Sequence, residues 1–276
     1  MLEIPESHTF AEQLNEKING KKIIHVATDN HPHKFAFYYE DPKGYNDLLK
    51  GKIIGRSSAY GGLVEIIVGD TKIVFGDGAN IRYFSNNEEI PEKNQLFIQF
   101  DDSSSLTCST QMYALIHIAL ANEYENEYYD VAKEKPSPLA DDFNMEYFEE
   151  MLGEVRSNTS IKSFLATKQR IPGLGNGTLQ DILFHAKIHP KTKIKMLKVE
   201  DNDKLFESVK KTLKLMRKNK GRNTEKTLFG EFGKYETILS SKSFKNPCPV
   251  CRDKIVKESY LGGTIYYCPS CQPLIK

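Results

Sequence analysis

The chain has 276 residues, 39% hydrophobic and 27% charged, with five Cys, no Trp and a formal net charge of +1. That length holds one large domain or two ordinary ones, each able to bury a real core, and the composition excludes a collagen, a disordered tail and a disulfide-dense mini-protein. No apolar run approaches the roughly 18 residues of a spanning helix. The start, Met1-Leu2-Glu3-Ile4-Pro5-Glu6, carries two acids and no basic stretch, which argues against a signal peptide. A cytoplasmic protein without membrane contact is expected. The balanced total hides an asymmetry: residues 157–276 carry 24 Lys+Arg against 10 Asp+Glu, and residues 1–156 carry 14 against 27. Such a split points to two units and a polyanion partner for the second, although a solvated lysine-rich surface gives the same counts.

In chain order, the first segment reads as a helix. Pro5 suits a first turn, Glu3 and Glu6 favour the positive end of the dipole, and Phe10, Leu14 and Ile18 recur at four-residue spacing before Gly20. From Lys22 to Leu120 short β-branched and aromatic runs alternate with turn residues. Ile23–Val26, Phe35–Tyr39, Ile53–Ile54, Leu63–Val68, Lys72–Phe75 and Leu96–Phe100 predict strands of a sandwich or barrel-like sheet. Cys108, inside a strand-like run, reads as a buried apolar residue. A linker rich in charge and proline covers Ala132 to Asp142. Helical signals follow. Asn158 or Thr159 caps a segment with Ile161, Phe164 and Leu165, and the Ile171-Pro-Gly-Leu-Gly-Asn176 turn breaks it. A helix over Thr178–Ala186 and a longer one over Lys204–Lys218, with its lysines outward, come next. The last thirty residues read as too polar for a core.

Those residues hold four of the five cysteines. Cys248-Pro-Val-Cys251 and Cys268-Pro-Ser-Cys271 are two Cys-x-x-Cys pairs 16 residues apart, the spacing of a four-thiolate ribbon holding one structural zinc ion. A redox dithiol or two disulfides are the alternatives. Between the pairs lie Lys254, Lys257, Gly262-Gly263 and Tyr266, a basic hairpin with aromatics that suits a nucleic-acid groove or is simply a solvated ribbon. In the turn Arg170–Asn176, glycines allow close backbone approach. The next helix start, at Gly175, then offers free N–H groups to a phosphate, with Asn176 as a further donor and Arg170 beside it; a plain helix connector has the same residues. A dinucleotide fold is disfavoured because a helix precedes the turn.

The run Phe164 to Pro190 resembles the helix–two-turn–helix signature of the formamidopyrimidine-DNA glycosylase/endonuclease VIII family. The Pro136–Phe143 linker, the closing Cys248 to Cys271 ribbon and the opening Glu3-Ile4-Pro5-Glu6 are also similar to the family's segments, in the same order. The resemblance implies an α+β multidomain protein: a β-sandwich with a leading helix over 1–131, a helix–two-turn–helix domain over 132–240 and a zinc-ribbon β-hairpin over 241–276. It implies damaged or abasic double-stranded DNA between the two halves, a monomer, and a location with the nucleoid.

The departures from the family pattern lie at its chemistry. The family's nucleophile is an N-terminal proline whose amine attacks the sugar C1′; here Leu2 holds that position, and a bulky second residue leads us to expect that Met1 is retained, its primary amine one residue further out. The family's sandwich-domain lysine is replaced by Ala59, and Thr110-Gln-Met-Tyr113 stands near the family's gap-filling loop without its arginine. The ribbon's arginine is replaced by Gly263. Glu3, Glu6 and Asn176 persist. Glu3 is then a candidate general base or proton donor, against the alternative of a dipole-favouring surface acid, and Glu6 a holder of the N-terminal segment through backbone hydrogen bonds. Three functions follow as expectations: a glycosylase with weak or absent strand cleavage, a non-enzymatic binder of damaged or abasic DNA, and a scaffold for repair proteins.

Overall fold

A computed structural model describes residues 2–28 and 30–275. In chain order the elements are α1 (Ile4–Lys17), β1 (Ile23–Thr28), β2 (Ala36–Tyr38), α2 (Tyr45–Leu49), β3 (Ile54–Tyr60), β4 (Leu63–Val68), β5 (Thr71–Gly76), β6 (Ala79–Phe84), β7 (Leu96–Phe100), β8 (Ser105–Thr110) and β9 (Ala114–Leu120). There follow α3 (Glu127–Glu134), α4 (Met145–Gly153), α5 (Ile161–Ala166), α6 (Asn176–Ala186), α7 (Val199–Lys218), β10 (Val256–Tyr260) and β11 (Gly263–Tyr267).

The nine strands before α3 make two sheets, one in the order β1-β7-β8-β6 and one in the order β2-β9-β5-β4-β3. All pairs are antiparallel except β2 with β9. Inward side chains of both sheets, including Ile23, Val64, Ile66, Phe75, Ile98 and Ile116, share one core. The leading helix closes that core: Phe10, Leu14 and Ile18, spaced as the sequence predicts, are all buried in it, each contributing about 1.5–3 kcal/mol by leaving water. Strand β5 is buried along its whole length. Its outer face is covered by Tyr124 and Tyr129, which pack on Val74 and Ala119 and carry α3 onto the sheet. There Tyr129 donates to Glu65, and Lys72 Nζ lies 3.1 Å from the Tyr129 hydroxyl.

A second core forms from α4 to α7, with Phe148, Phe164, Leu179, Ile182, Val209 and Leu213 buried against one another. Ser160 caps α5, one residue later than the two candidates in the sequence, its hydroxyl accepting from Ser163 N. Helix α6 begins at Asn176 and α7 at Val199, both earlier than predicted. Not every α7 lysine points outward: Lys210 Nζ donates to the carbonyls of Ala140 and Phe143, pinning the linker. The closing residues also bury more than their polarity predicts. Tyr266, Ile255, Cys248 and Cys268 form a small third core against Phe184 of α6 and Leu239. The two larger units exchange residues, since Ile4 of α1 is buried in the helical core and Leu228 in the sandwich core. Helix α3 runs across residue 131, where the sequence places a boundary. Among the described residues, no helix is long and apolar enough to cross a membrane.

Candidate active site

Residues 2–7 are clasped between the two larger units. On one side stands the β3–β4 turn, where Gly61 has a φ of 54° and Ser7 Oγ donates to its carbonyl at 2.6 Å. On the other stands the Ile171–Gly175 turn, where Ile4 N donates to the Gly173 carbonyl at 3.0 Å. Gly61 and Gly62 lie directly on Pro172 and Gly173, so close that a Cβ on Gly61 would sit 2.8 Å from Pro172 atoms. The glycines on both sides are what let the two turns meet.

Glu3 is neither a surface acid nor a free one. It is 3% exposed, and its carboxylate caps α6 from a distance in sequence, accepting from Gly177 N and Thr178 N at 2.8 Å each. The helix start that the sequence offered to a phosphate is therefore already filled by a carboxylate of the same chain. Arg222 Nη1 stands 3.3 Å from the same carboxylate. Burial raises the Glu3 pKa, but the Arg222 charge and the hydrogen bonds from Thr178 and Gly177 outweigh it, and the carboxyl lies below its ordinary range. Glu6, also 3% exposed, accepts from Arg222 N at 3.1 Å, Nε at 2.9 Å and Nη2 at 2.8 Å. Arg222 itself is 2% exposed; burial opposes its charge, and the two glutamates hold it protonated. Glycine is required at 177, where any Cβ would overlap the Arg222 guanidinium. Nothing local in the sequence marks Arg222, one of 24 basic residues in the second half.

Leu2 is buried with its side chain in the sandwich core. It lines two cavities. The larger, about 360 Å³, is bounded by Leu2, Glu3, Leu63, Asp77, Tyr113 and Gly173 among others, and so opens between both halves. The smaller, about 260 Å³, lies between Leu2, Glu6, Phe10, Asn80 and the loop residues Thr224, Lys226 and Phe232. Asp77, on the turn after β5, also lines the larger cavity. The Met1 amine lies outside the described residues. Ala59 shares a recess with Lys133 and Lys135, and Met112, at the tip of the 110–113 loop, is 72% exposed.

Four expected DNA-contacting residues have other work or other surroundings. Arg170 Nη1 donates to the carbonyls of Ser163 and Thr167 at 3.0 and 3.2 Å, closing the end of α5. Tyr266 is buried against Phe244, and its N–H donates to Gln180 Oε1 at 3.1 Å, tying the ribbon to α6. Gly175 is the N-cap of α6, and a Cβ there would stand 2.6 Å from the Glu3 carboxylate. Asn176 alone of the turn is exposed. It meets the β10–β11 hairpin, where a side chain at Gly263 would overlap its amide and where Lys162 Nζ donates to the Tyr260 carbonyl. Lys254 and Lys257 are exposed on the hairpin. The sulfurs of Cys248, Cys251, Cys268 and Cys271 lie within 4.8 Å of one another as free thiols, with no disulfide among them, and four thiolates at that spacing can hold one metal ion. Gln272 locks this unit down, accepting from Cys268 N at 3.1 Å and donating to the Ile188 carbonyl at 2.9 Å.

Leading helix, sandwich, turn between α5 and α6, and cysteine ribbon together define a helix–two-turn–helix protein with an amino-terminal site. Residues 135–226 match the family model of the formamidopyrimidine-DNA glycosylase H2TH domain. The formamidopyrimidine-DNA glycosylase of Legionella pneumophila (strain Philadelphia 1) is 28% identical over all of both chains, and that of Bacillus cereus (strain ATCC 10987) is 26% identical over all of both. The Lactococcus lactis Fpg (MutM), solved with N7-benzyl-Fapy-dG DNA, has the same fold: TM-score 0.84, 24% identity, 98% of this chain and 99% of that one covered. End to end in sequence, and in fold, the chain is therefore similar to the formamidopyrimidine-DNA glycosylases.

Proposed function

We propose that the protein binds damaged duplex DNA as a monomer and excises a damaged base by hydrolysing its N-glycosidic bond, with the strand-cleaving lyase step weak or lost. The observation that carries this reading is the cavity beside residue 2. It is walled by both halves of the chain and opens next to two carboxylates, beside the leucine that replaces the family's nucleophilic proline. The curated relatives that match end to end are named for glycosylase action on formamidopyrimidine DNA. Covalent catalysis needs an unprotonated amine at the sugar; with Leu2 in the proline's place, water is the better attacker. Phosphate contacts come from Asn176, Lys254 and Lys257, so affinity falls steeply with salt. The four thiolates hold one zinc ion whose role is structural, since no coordination position stays open.

A second reading, a binder of damaged or abasic DNA without catalysis, is favoured by the full engagement of Glu3, whose two oxygens accept from the α6 amides. One assay separates the two. The protein is incubated with duplexes carrying 8-oxoguanine, a formamidopyrimidine or an oxidised pyrimidine, then treated with hot alkali or with borohydride. Alkali-labile sites without a trapped adduct support hydrolytic excision. Tight binding to an abasic analogue with no labile site on any duplex leaves the binder.

A further inference from the structure

We propose that Asp77, on the turn between β5 and β6, is the general base that activates water in the cavity beside residue 2. This deepens the glycosylase reading and rests on it.

Two carboxylates face that cavity, and their surroundings divide the roles. Glu3 has both oxygens committed to Gly177 N and Thr178 N, with Arg222 alongside, and this engagement keeps it ionised and weakly basic. Asp77 is different. It remains accessible to solvent, and among the described residues no hydrogen bond reaches its carboxylate. Burial raises its pKa, outweighing the positive charge of the chain's amino terminus, which lowers it, and the negative charge of Glu3 raises it further. Tyr113 also faces it, and its hydroxyl pKa is raised by burial and by Asp77. Two acids in one site driven in opposite directions are the usual mark of divided acid–base work.

The backbone fixes where Asp77 points. Its φ is positive at 20°, followed by Gly78 at 80°. Gly78 lies so close beneath the Tyr113 carbonyl that any Cβ would overlap it, which locks the turn to the 110–113 loop. A non-glycine residue kept at positive φ by its neighbours is a feature that clusters at functional sites.

In the step itself, a water in the cavity gives a proton to an Asp77 carboxylate oxygen while its oxygen bonds to the sugar C1′. The C1′–N bond breaks with its electron pair on the departing base, which takes up a proton from solvent. Asp77 then returns its own proton to solvent. One water is consumed, and the products are the free base and an abasic sugar with a C1′ hydroxyl. No protein–DNA bond forms.

The test is single-turnover base release from the three lesion duplexes, read after hot alkali, for wild type, Asp77→Asn and Asp77→Glu. Asp77→Asn is expected to slow release by at least about 100-fold, the lower end of what a positioned base supplies, with unchanged affinity for a tetrahydrofuran abasic-analogue duplex and unchanged Tm. Asp77→Glu is expected to restore part of the rate. The wild-type rate is expected to fall as pH drops through the raised carboxyl pKa. Release by Asp77→Asn at the wild-type rate overturns the assignment, as does loss of abasic-duplex binding in parallel with release. Should Asp77→Asn fail to fold, wild type decides through borohydride: a trapped adduct means an amine attacks, and the proposal falls. If wild type releases no base from any duplex, it is the glycosylase reading that fails, a result distinct from active wild type with active Asp77→Asn.

Discussion

Two junctions hold α6 in its place, and they work by opposite means. At its amino end a carboxylate from residue 3 accepts from the helix amides, and a guanidinium from residue 222 binds that acid and its neighbour Glu6. Along its side, Gln180 grips the hairpin: Nε2 donates to the Thr264 carbonyl at 3.0 Å, and Oε1 accepts from Tyr266 N. Asp181 accepts from Ile238 N and Leu239 N at 2.9 and 2.8 Å. The first junction is a buried ion cluster built from the two extremes of a long loop in sequence. The second is a set of ordinary hydrogen bonds to a ribbon whose own integrity depends on four thiols. The difference teaches where each is vulnerable: the first to the loss of one charge, the second to the loss of the cysteine cluster.

The largest effect is expected from the ribbon. Chelating the zinc proposed for the four thiols is expected to remove a binding free energy of about 10 kcal/mol or more near neutral pH. Amide exchange over 248–271 is expected to become fast and DNA affinity to drop, while the sandwich strands stay protected. A metal-stripped protein with a protected ribbon breaks the comparison.

Next comes Arg222→Ala. It leaves two carboxylates buried without their partner, and the expected destabilisation is about 3–5 kcal/mol, read as a lowered Tm or denaturant midpoint. The triple change Glu3→Gln, Glu6→Gln, Arg222→Met is expected to recover much of that loss; no recovery means the cluster does more than neutralise itself. Acid sharpens the same point. The depressed Glu3 pKa means that its contribution is present above 4.5, the ordinary value, and is lost as pH falls through its lower folded value. Two histidines act higher on the scale. Burial, aided at His8 by the Arg217 charge, holds both His8 and His117 at about 4 against 6.5. The unfolded chain therefore binds protons that the folded one does not, and stability falls as pH drops from 6.5 to 4. His117→Gln is expected to flatten that slope in urea titrations at several pH values; an unchanged slope assigns it elsewhere.

The smallest effects are expected at the residues proposed to contact phosphate. Asn176→Ala is expected to weaken binding by about 0.5–1.5 kcal/mol on every sequence alike, and Lys257→Ala to reduce the salt slope of the affinity by about 1. Fluorescence anisotropy over a salt series reads both, and a change confined to one lesion contradicts the phosphate role.

The clustering of the four cysteines was legible because they lie within one short stretch at a spacing that suits four thiolates around one point. Strands Leu63–Val68 and Leu96–Phe100 have the predicted bounds, since their apolar runs end at turn residues. Strand β8 is harder to see. Its Ser105, Leu106, Thr107 and Cys108 are all buried, yet three of the four are too polar or too small to stand out. Helix α4 starts from Asn144, whose side chain accepts from Tyr147 N, a cap that the linker's prolines overshadowed. At the site, position 3 was legible as an acid but not as the cap of a helix beginning at residue 176. Arg222 was not legible at all, because burial of a charge is decided by partners that no local periodicity encodes. Asp77 shared the signature of any Asp-Gly turn.

The pairing of residues 3 and 6 with residue 222 has a consequence for how the chain comes into being. During synthesis the amino-terminal acids leave the ribosome first, and their guanidinium appears only after most of the polypeptide has emerged. Until then the opening helix is seated by Phe10, Leu14 and Ile18 alone, with two carboxylates still in water, and the buried ion cluster forms only once residue 222 has emerged.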